Sequence, residues 1–140
     1  MALPSVIDFQ HIEVLRLSMF LMRNIARAYF NNQANFGAIA GDVMLCMAIY
    51  LGQAERKPLS AAKLAQYVGI PRPTVVRRLL ALERQGYVER YNGYYILPAD
   101  RVHTDECLAN LDLSVRIIHK VSRNLSNLDI KPIAEKKGTS

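Results

Sequence analysis

Apolar side chains recur at three- and four-residue steps near both ends of the chain and change rhythm between them. Ile12, Leu15, Met19, Met22, Ile25 and Tyr29 fall on one face of a helix predicted from Ser5 to about Phe30. Leu17, Phe20 and Leu21 widen that stripe beyond what packing against one small domain requires. After the polar break Asn31-Asn32-Gln33-Ala34-Asn35, a second helix is expected from about Ile39 to Leu51. It is apolar nearly all round, which predicts a buried central helix. Gly52 through Pro58 reads as a connector.

The middle of the chain is punctuated more finely. Ser60 is placed to cap a short helix over Ala61–Val68, its hydroxyl accepting from an otherwise unpaired first-turn amide. Gly69-Ile70-Pro71 turns the chain into a helix from Arg72 or Pro73 to Gln85, and Gly86 stops it. Tyr87 to Tyr91 and Tyr94 to Leu97 are β-prone and flank Asn92-Gly93, whose residue types tolerate the positive φ of a two-residue hairpin turn. That turn sets Tyr91 opposite Tyr94 and Arg90 opposite Tyr95. A last helix begins from Thr104, with Asp105 and Glu106 in its first turn complementing its dipole. Leu108, Leu111, Val115, Ile118 and Leu125 continue it at helical spacing. The tail beyond Asp129 has little to bury and is expected to be flexible.

Charge sharpens this picture. The 140 residues hold 18 Lys and Arg against 12 Asp and Glu, a net of +6. Arg56, Lys57, Lys63, Arg72, Arg77, Arg78, Arg84, Arg90 and Arg101 face only Glu83, Glu89 and Asp100 in their window, so that window carries all of the +6 and the rest nets zero. A basic third on a neutral scaffold suits a nucleic-acid face.

Short helix, tight turn, second helix and hairpin make a helix-turn-helix followed by a wing. With Val75, Leu79 and Leu82 turned inward at 100° per residue, Pro73, Arg77 and Arg84 fall near the opposite face and Val76 at its edge. A first turn offering Arg72, Pro73, Thr74, Val76 and Arg77 suits a helix that reads the major groove: arginine pairs bidentately with guanine, and methyl groups contact thymine. Ser60, Lys63, Arg78, Arg84, Arg90, Asn92 and Gly93 complete the expected DNA-binding set. Arg78 either reaches for phosphate or pairs with an acidic neighbour.

The run Gly69-Ile70-Pro71-Arg72-Pro73-Thr74-Val75-Val76-Arg77, with Leu79, Leu82, Gly86-Tyr87-Val88 and Tyr95, resembles the winged helix-turn-helix of bacterial transcription regulators. Residues 60–98 look most like the N-terminal DNA-binding domain of the IclR family. The whole chain, with its long flanking helices, is more similar to the MarR family, in which the first and last helices form the dimer interface. That resemblance implies a mainly α fold with a small β-hairpin wing. It divides the chain into an N-terminal dimerisation helix (1–35), a winged helix-turn-helix (36–101), a C-terminal dimerisation helix (102–129) and a tail (130–140). Ile12, Leu15, Met19, Leu108, Leu111, Val115 and Ile118 become the dimerisation residues. MarR-like wings usually carry a longer tip with an Asp-x-Arg element, whereas this tip is only Asn92-Gly93 and Arg90 lies on the stem.

The function expected is a homodimeric, sequence-specific regulator on a palindromic operator in double-stranded DNA. The alternative is a winged-helix module that binds protein instead. A small-molecule effector would sit where the dimer helices meet the DNA-reading part, with Met44, Met47 and Tyr50 lining it and Arg23 or His119 as anchors. The tyrosines of the hairpin either stack on bases or stiffen the strands. His103 and Cys107 have metal-ligand spacing but no completing pair, so neither a metal nor any other cofactor is expected. Cys46 reads as packing. No phosphate loop, paired carboxylates or nucleophile elbow point to an enzyme. Asp8 and Glu13 stand where an export signal would be cationic, and Asp42 interrupts the most apolar run, which is too short for a membrane span. A reducing, cytoplasmic setting follows, with no membrane partner.

Overall fold

The computed structural model describes residues 5–30 and 35–128. The chain runs through α1 (Val6–Tyr29), α2 (Phe36–Ala54), α3 (Ala61–Val68), α4 (Arg72–Arg84), β1 (Glu89–Tyr91), β2 (Tyr94–Ile96), α5 (Ala99–Val102) and α6 (Asp105–Ser126). Four helices start at side chains that cap them: Ser5, Asn35, Ser60 and Thr104 each accept a first-turn backbone N–H. At Ser5 the bond is reciprocal, since Asp8 also accepts from the Ser5 backbone, and this holds the Asp8 carboxyl below its usual pKa. Gly69 ends α3 at φ 77° and Gly86 follows α4 at φ 78°, left-handed positions that cost a side chain-bearing residue energy.

The core is built on one face of α2. Val43, Leu45, Cys46, Ala48, Ile49 and Gly52 are buried there, and α3 supplies Leu64 while α4 supplies Val75, Leu79 and Leu82. Val88, Tyr95 and Leu97 close it from the wing, and Ala26, Tyr29 and Phe30 from the end of α1. The expectation of a helix buried all round is corrected here, because Met44, Tyr50 and Leu51 stand exposed on the far side of α2. By length and composition α2 could cross a membrane, yet its inner face carries the domain core and its one charged residue, Asp42, is paired with Arg78.

One local reading is revised and two further features appear. Gly52 is not a connector residue but lies in the last turn of α2, where an added Cβ would stand 2.9 Å from the Lys57 carbonyl and 3.0 Å from Leu59. Leu59 bridges Tyr95, its carbonyl accepting the Tyr95 N–H at 3.2 Å, so the hairpin is tied to the body by a third extended segment. The turn after Pro98 is a short helix, α5. Residues 31–34 of the polar break and the tail from residue 129 lie outside the described residues.

α1 and α6 pack antiparallel. Asn124 near the end of α6 donates to Glu13 near the start of α1 at 3.3 Å, while the Cys107 thiol at the start of α6 lies 3.7 Å from the Ala28 carbonyl at the end of α1. The α1 stripe is thus covered unevenly. Its second half (Met22, Ile25, Tyr29) packs into the core, and its first half (Ile12, Leu15, Met19) is 42–65% exposed. On α6, Val121 is buried, and Leu108, Leu111, Val115 and Ile118 form a separate exposed stripe.

Where α1 ends, the Tyr29 hydroxyl donates to the Tyr87 carbonyl, and Tyr29, Phe30 and Tyr87 pack ring against ring at 4.7–5.7 Å. Burial raises the Tyr29 pKa far out of the physiological range, so the phenol stays a neutral donor. Replacing it by phenylalanine keeps the packing and leaves a buried carbonyl unpaired. Tyr29→Phe is therefore expected to cost about 1–3 kcal/mol in urea unfolding, with the helical circular dichroism unchanged.

Candidate nucleic-acid interface

The basic window folds into two populations of cations. Lys63 on α3 and Arg72, Arg77 and Arg84 on α4 are exposed, and none has a salt-bridge partner among the described residues. Val75, Leu79 and Leu82 point into the core with at most 1% exposure, which turns the opposite side of α4 to solvent. Pro73 and Val76 are exposed and Thr74 half-buried on the same first turn. The inward stripe read from the sequence and the outward residues derived from it both fall where 3.6-residue periodicity places them. Proline at the second position of α4 leaves no amide unpaired within the helix. Ser60 is spent on its cap, accepting from the Lys63 amide at 3.4 Å.

The second population is committed inside the protein. Arg78 reaches sideways from α4 to α2, where its guanidinium stands 3.2 Å from Asp42 and packs over Gly41, whose missing side chain leaves room for it. Of the two readings open for Arg78, the acidic neighbour is the one the geometry supports. Arg101 lies 4.7 Å over the Tyr87 ring and donates to the Gln85 carbonyl, bracing the root of the wing. Sequence reasoning counted Arg101 as surface charge; the aromatic three residues past the end of α4 is the signal that could have placed it.

The wing pairs as expected, with Tyr91 opposite Tyr94, Arg90 opposite Tyr95 and Glu89 opposite Ile96. Asn92 (φ 51°) and Gly93 (φ 80°) both sit in the left-handed region that a two-residue hairpin turn demands. Arg90 leans back from the stem toward Glu83, 3.9 Å away. Asn92 and Gly93 are exposed, as are Tyr91 and Tyr94.

The other candidate residues are dispersed. Arg23, Met44, Tyr50 and His119 are exposed on three helices, and Met47 is packed against the core. None of them lines the open groove of about 520 Å³ between α1 and α6, which is bordered by Asn24, Arg27, Ala28, Glu106, Asn110 and Leu113. Asn110 Oδ1 and Ser114 Oγ are buried along α6 without a protein partner. Cys46 is buried, and burial together with the nearby Asp42 pushes its thiol pKa far above the usual value, which leaves it an unreactive packing group.

A helix-turn-helix with an outward-facing basic helix and a short wing defines the winged helix-turn-helix class of DNA-binding regulators. Comparison with known families agrees: residues 51–91 match the model of the IclR helix-turn-helix domain. The match runs from the end of α2 to the tip of the wing, well under half of the chain. No curated protein and no solved structure matches the chain. The match supports a helix-turn-helix of the IclR type over these residues, and with it a DNA-binding transcription regulator.

The two cation populations are separable by substitution. Arg78→Met strands a partly buried Asp42 carboxylate and is expected to cost ~1–2 kcal/mol of stability, between the values of exposed and buried pairs. It should leave the salt dependence of DNA binding unchanged. Arg77→Ala should do the reverse, with stability within ~0.5 kcal/mol of the parent and a shallower salt dependence. Urea titration and fluorescence anisotropy at several salt concentrations check both.

Proposed function

We propose that this protein is a cytoplasmic transcription regulator that binds a palindromic operator as a homodimer, an IclR-type reading head carried on a MarR-like frame of two long helices. The observation that carries the DNA-reading half is the outer face of α4, where Arg72, Arg77 and Arg84 are exposed and uncommitted while Arg78 next to them is tied to Asp42. In this reading Arg72, Thr74, Val76 and Arg77 contact base edges in the major groove, and Lys63 and Arg84 contact phosphates on either side. Positive charge confined to one face speeds encounter with DNA and makes the affinity depend on salt.

The dimer half rests on apolar surface. On α1, Val6, Ile7, Phe9, Ile12, Val14, Leu15 and Met19 are exposed, and on α6 Leu108, Leu111, Leu113, Val115 and Ile118. A monomer rarely shows an apolar patch beyond roughly 300–600 Å², whereas a stable interface takes about 800 Å² from each partner. Twelve large side chains at 42–65% exposure on two neighbouring helices are of the second order. A two-fold contact of α1 and α6 with their copies would cover them and present two copies of α4 to successive major grooves.

Two measurements test the reading. Duplexes selected from a randomised pool should contain inverted repeats with half-sites about one helical turn (~34 Å) apart, and Arg77→Ala should weaken a selected duplex by ~1–3 kcal/mol while relaxing its sequence preference. Light scattering at micromolar concentration should give twice the monomer mass, and Leu15→Asp with Leu111→Asp should give a monomer that binds the selected duplex far more weakly. A basic face that binds no duplex favours the protein-interaction alternative.

A further inference from the structure

The wing carries no cation at its tip, and this changes how it can meet DNA. Alternation along the two strands puts Tyr91 and Tyr94 on one face of the hairpin and Arg90 and Tyr95 on the other. Tyr95 is buried against the body, and Arg90 on that same face is drawn back to Glu83 at 3.9 Å. What projects is Tyr91-Asn92-Gly93-Tyr94, with the two phenol side chains 60% and 45% exposed. Glu89, the only charge on the outer face of the strands, sits at the base of the stem, about 7 Å back along the strand.

The hairpin does not depend on these two rings for its shape. Asn92 and Gly93 set the turn, Tyr95 is anchored by the Leu59 carbonyl at 3.2 Å, and Leu97 is held by Gln53, whose carboxamide accepts its N–H at 2.8 Å. The tip is therefore aimed rigidly, and it displays two hydroxyl donors and one carboxamide without charge. Neutral donors held on a rigid element bind phosphodiester oxygens well, because the hydrogen bond to an anion is strong and little conformational freedom is lost.

Resting on the DNA-binding reading above, we infer that Tyr91, Asn92 and Tyr94 form a neutral clamp on the DNA backbone, in which the two phenols and the carboxamide donate to phosphate oxygens beside the site read by α4. Affinity then has two separable parts. Lys63, Arg72, Arg77 and Arg84 release counterions on binding and carry the salt dependence. The wing adds hydrogen bonds that release none, and because every nucleotide has a phosphate, it adds them on any sequence.

The test compares the parent with Tyr91→Phe, Tyr94→Phe and the double variant. Each is titrated on a duplex selected by the parent and on a random-sequence duplex, at four salt concentrations. Phenylalanine keeps the ring and removes only the donor, so the thermal unfolding midpoint should stay at the parent value. The double variant is expected to lose about a hundredfold or more in affinity, the scale of two hydrogen bonds to a charged acceptor, equally on both duplexes and with the parent's salt slope. Lys63→Ala, by contrast, should lower the slope by about one for each protomer. A double variant within twofold of the parent overturns the clamp, and so does a loss confined to the selected duplex, which would mean base contact. A parent that binds neither duplex overturns the DNA-binding reading and the clamp together.

Discussion

The long helices, the recognition helix and the wing are joined around the aromatic knot of Tyr29, Phe30 and Tyr87. The end of α1 donates a hydrogen bond into the root of the wing, and Arg101 covers the Tyr87 ring while holding the last turn of α4 through Gln85. The backbone of that same Arg101 and that of Ala28 both lie within reach of the Cys107 thiol at the start of α6. Four elements are thereby fixed to one another by a few contacts, of which the Tyr29–Tyr87 bond is buried. Aromatic rings suit this place, since a tyrosine fills a large volume and still offers a polar tip for an otherwise unpaired carbonyl.

Beyond that junction, the division of labour among arginines follows from which direction each leaves α4. Arg77 and Arg84 leave opposite the core and remain available to a polyanion. Arg78, one residue from Arg77 and about 100° around the helix, meets Asp42 on α2 and becomes a strut. Charge count alone treats these as equivalent, yet a guanidinium committed to a half-buried carboxylate contributes little to an external field and much to the orientation of α4. The Nε of Arg78 is buried without a partner, so this strut is not fully satisfied. Its worth lies in fixing the angle between α2 and α4 more than in net stabilisation.

The sequence disclosed most where local chemistry has few solutions. Asn92-Gly93 allows essentially one hairpin, and its register was readable to the residue. Ser60, Gly69 and the Val75-Leu79-Leu82 stripe mark a helix, a turn and a second helix that the structure reproduces. What stayed hidden depends on distant partners. Leu59 pairs with Tyr95 across 36 residues of chain, and nothing near Pro58-Leu59 announces a strand that is a single bridge long. The exposure of Met44, Tyr50 and Leu51 was illegible for a related reason. An all-apolar helix gives no polar face from which to tell inside from outside, so burial had to come from what packs against α2. The fate of Arg78 likewise required knowing that Gly41 and Asp42 lie alongside it. Candidate DNA contacts on α4 were legible because one helix contains both the apolar stripe and its opposite face. The effector set was drawn from three helices whose relative placement no local pattern encodes.

Helix length connects the frame to the spacing of a DNA site. α1 has 24 residues and α6 has 22, so each is a rod of roughly 33–36 Å at 1.5 Å per residue. One half of α1 is built into the head, and the other half carries the exposed apolar stripe. A rod divided in this way makes the distance from head to contact surface a fixed property of the chain, insensitive to loop motion. In the proposed dimer the two heads are consequently held apart by helix geometry, on the same scale as the ~34 Å that separates successive major grooves. Any small change in how α1 and α6 lie against their copies is then carried over most of that length before it reaches α4. In the proposed dimer, the stiffness that would let two weakly bound half-sites act as one strong site would also make operator binding sensitive to the packing of a distant seam.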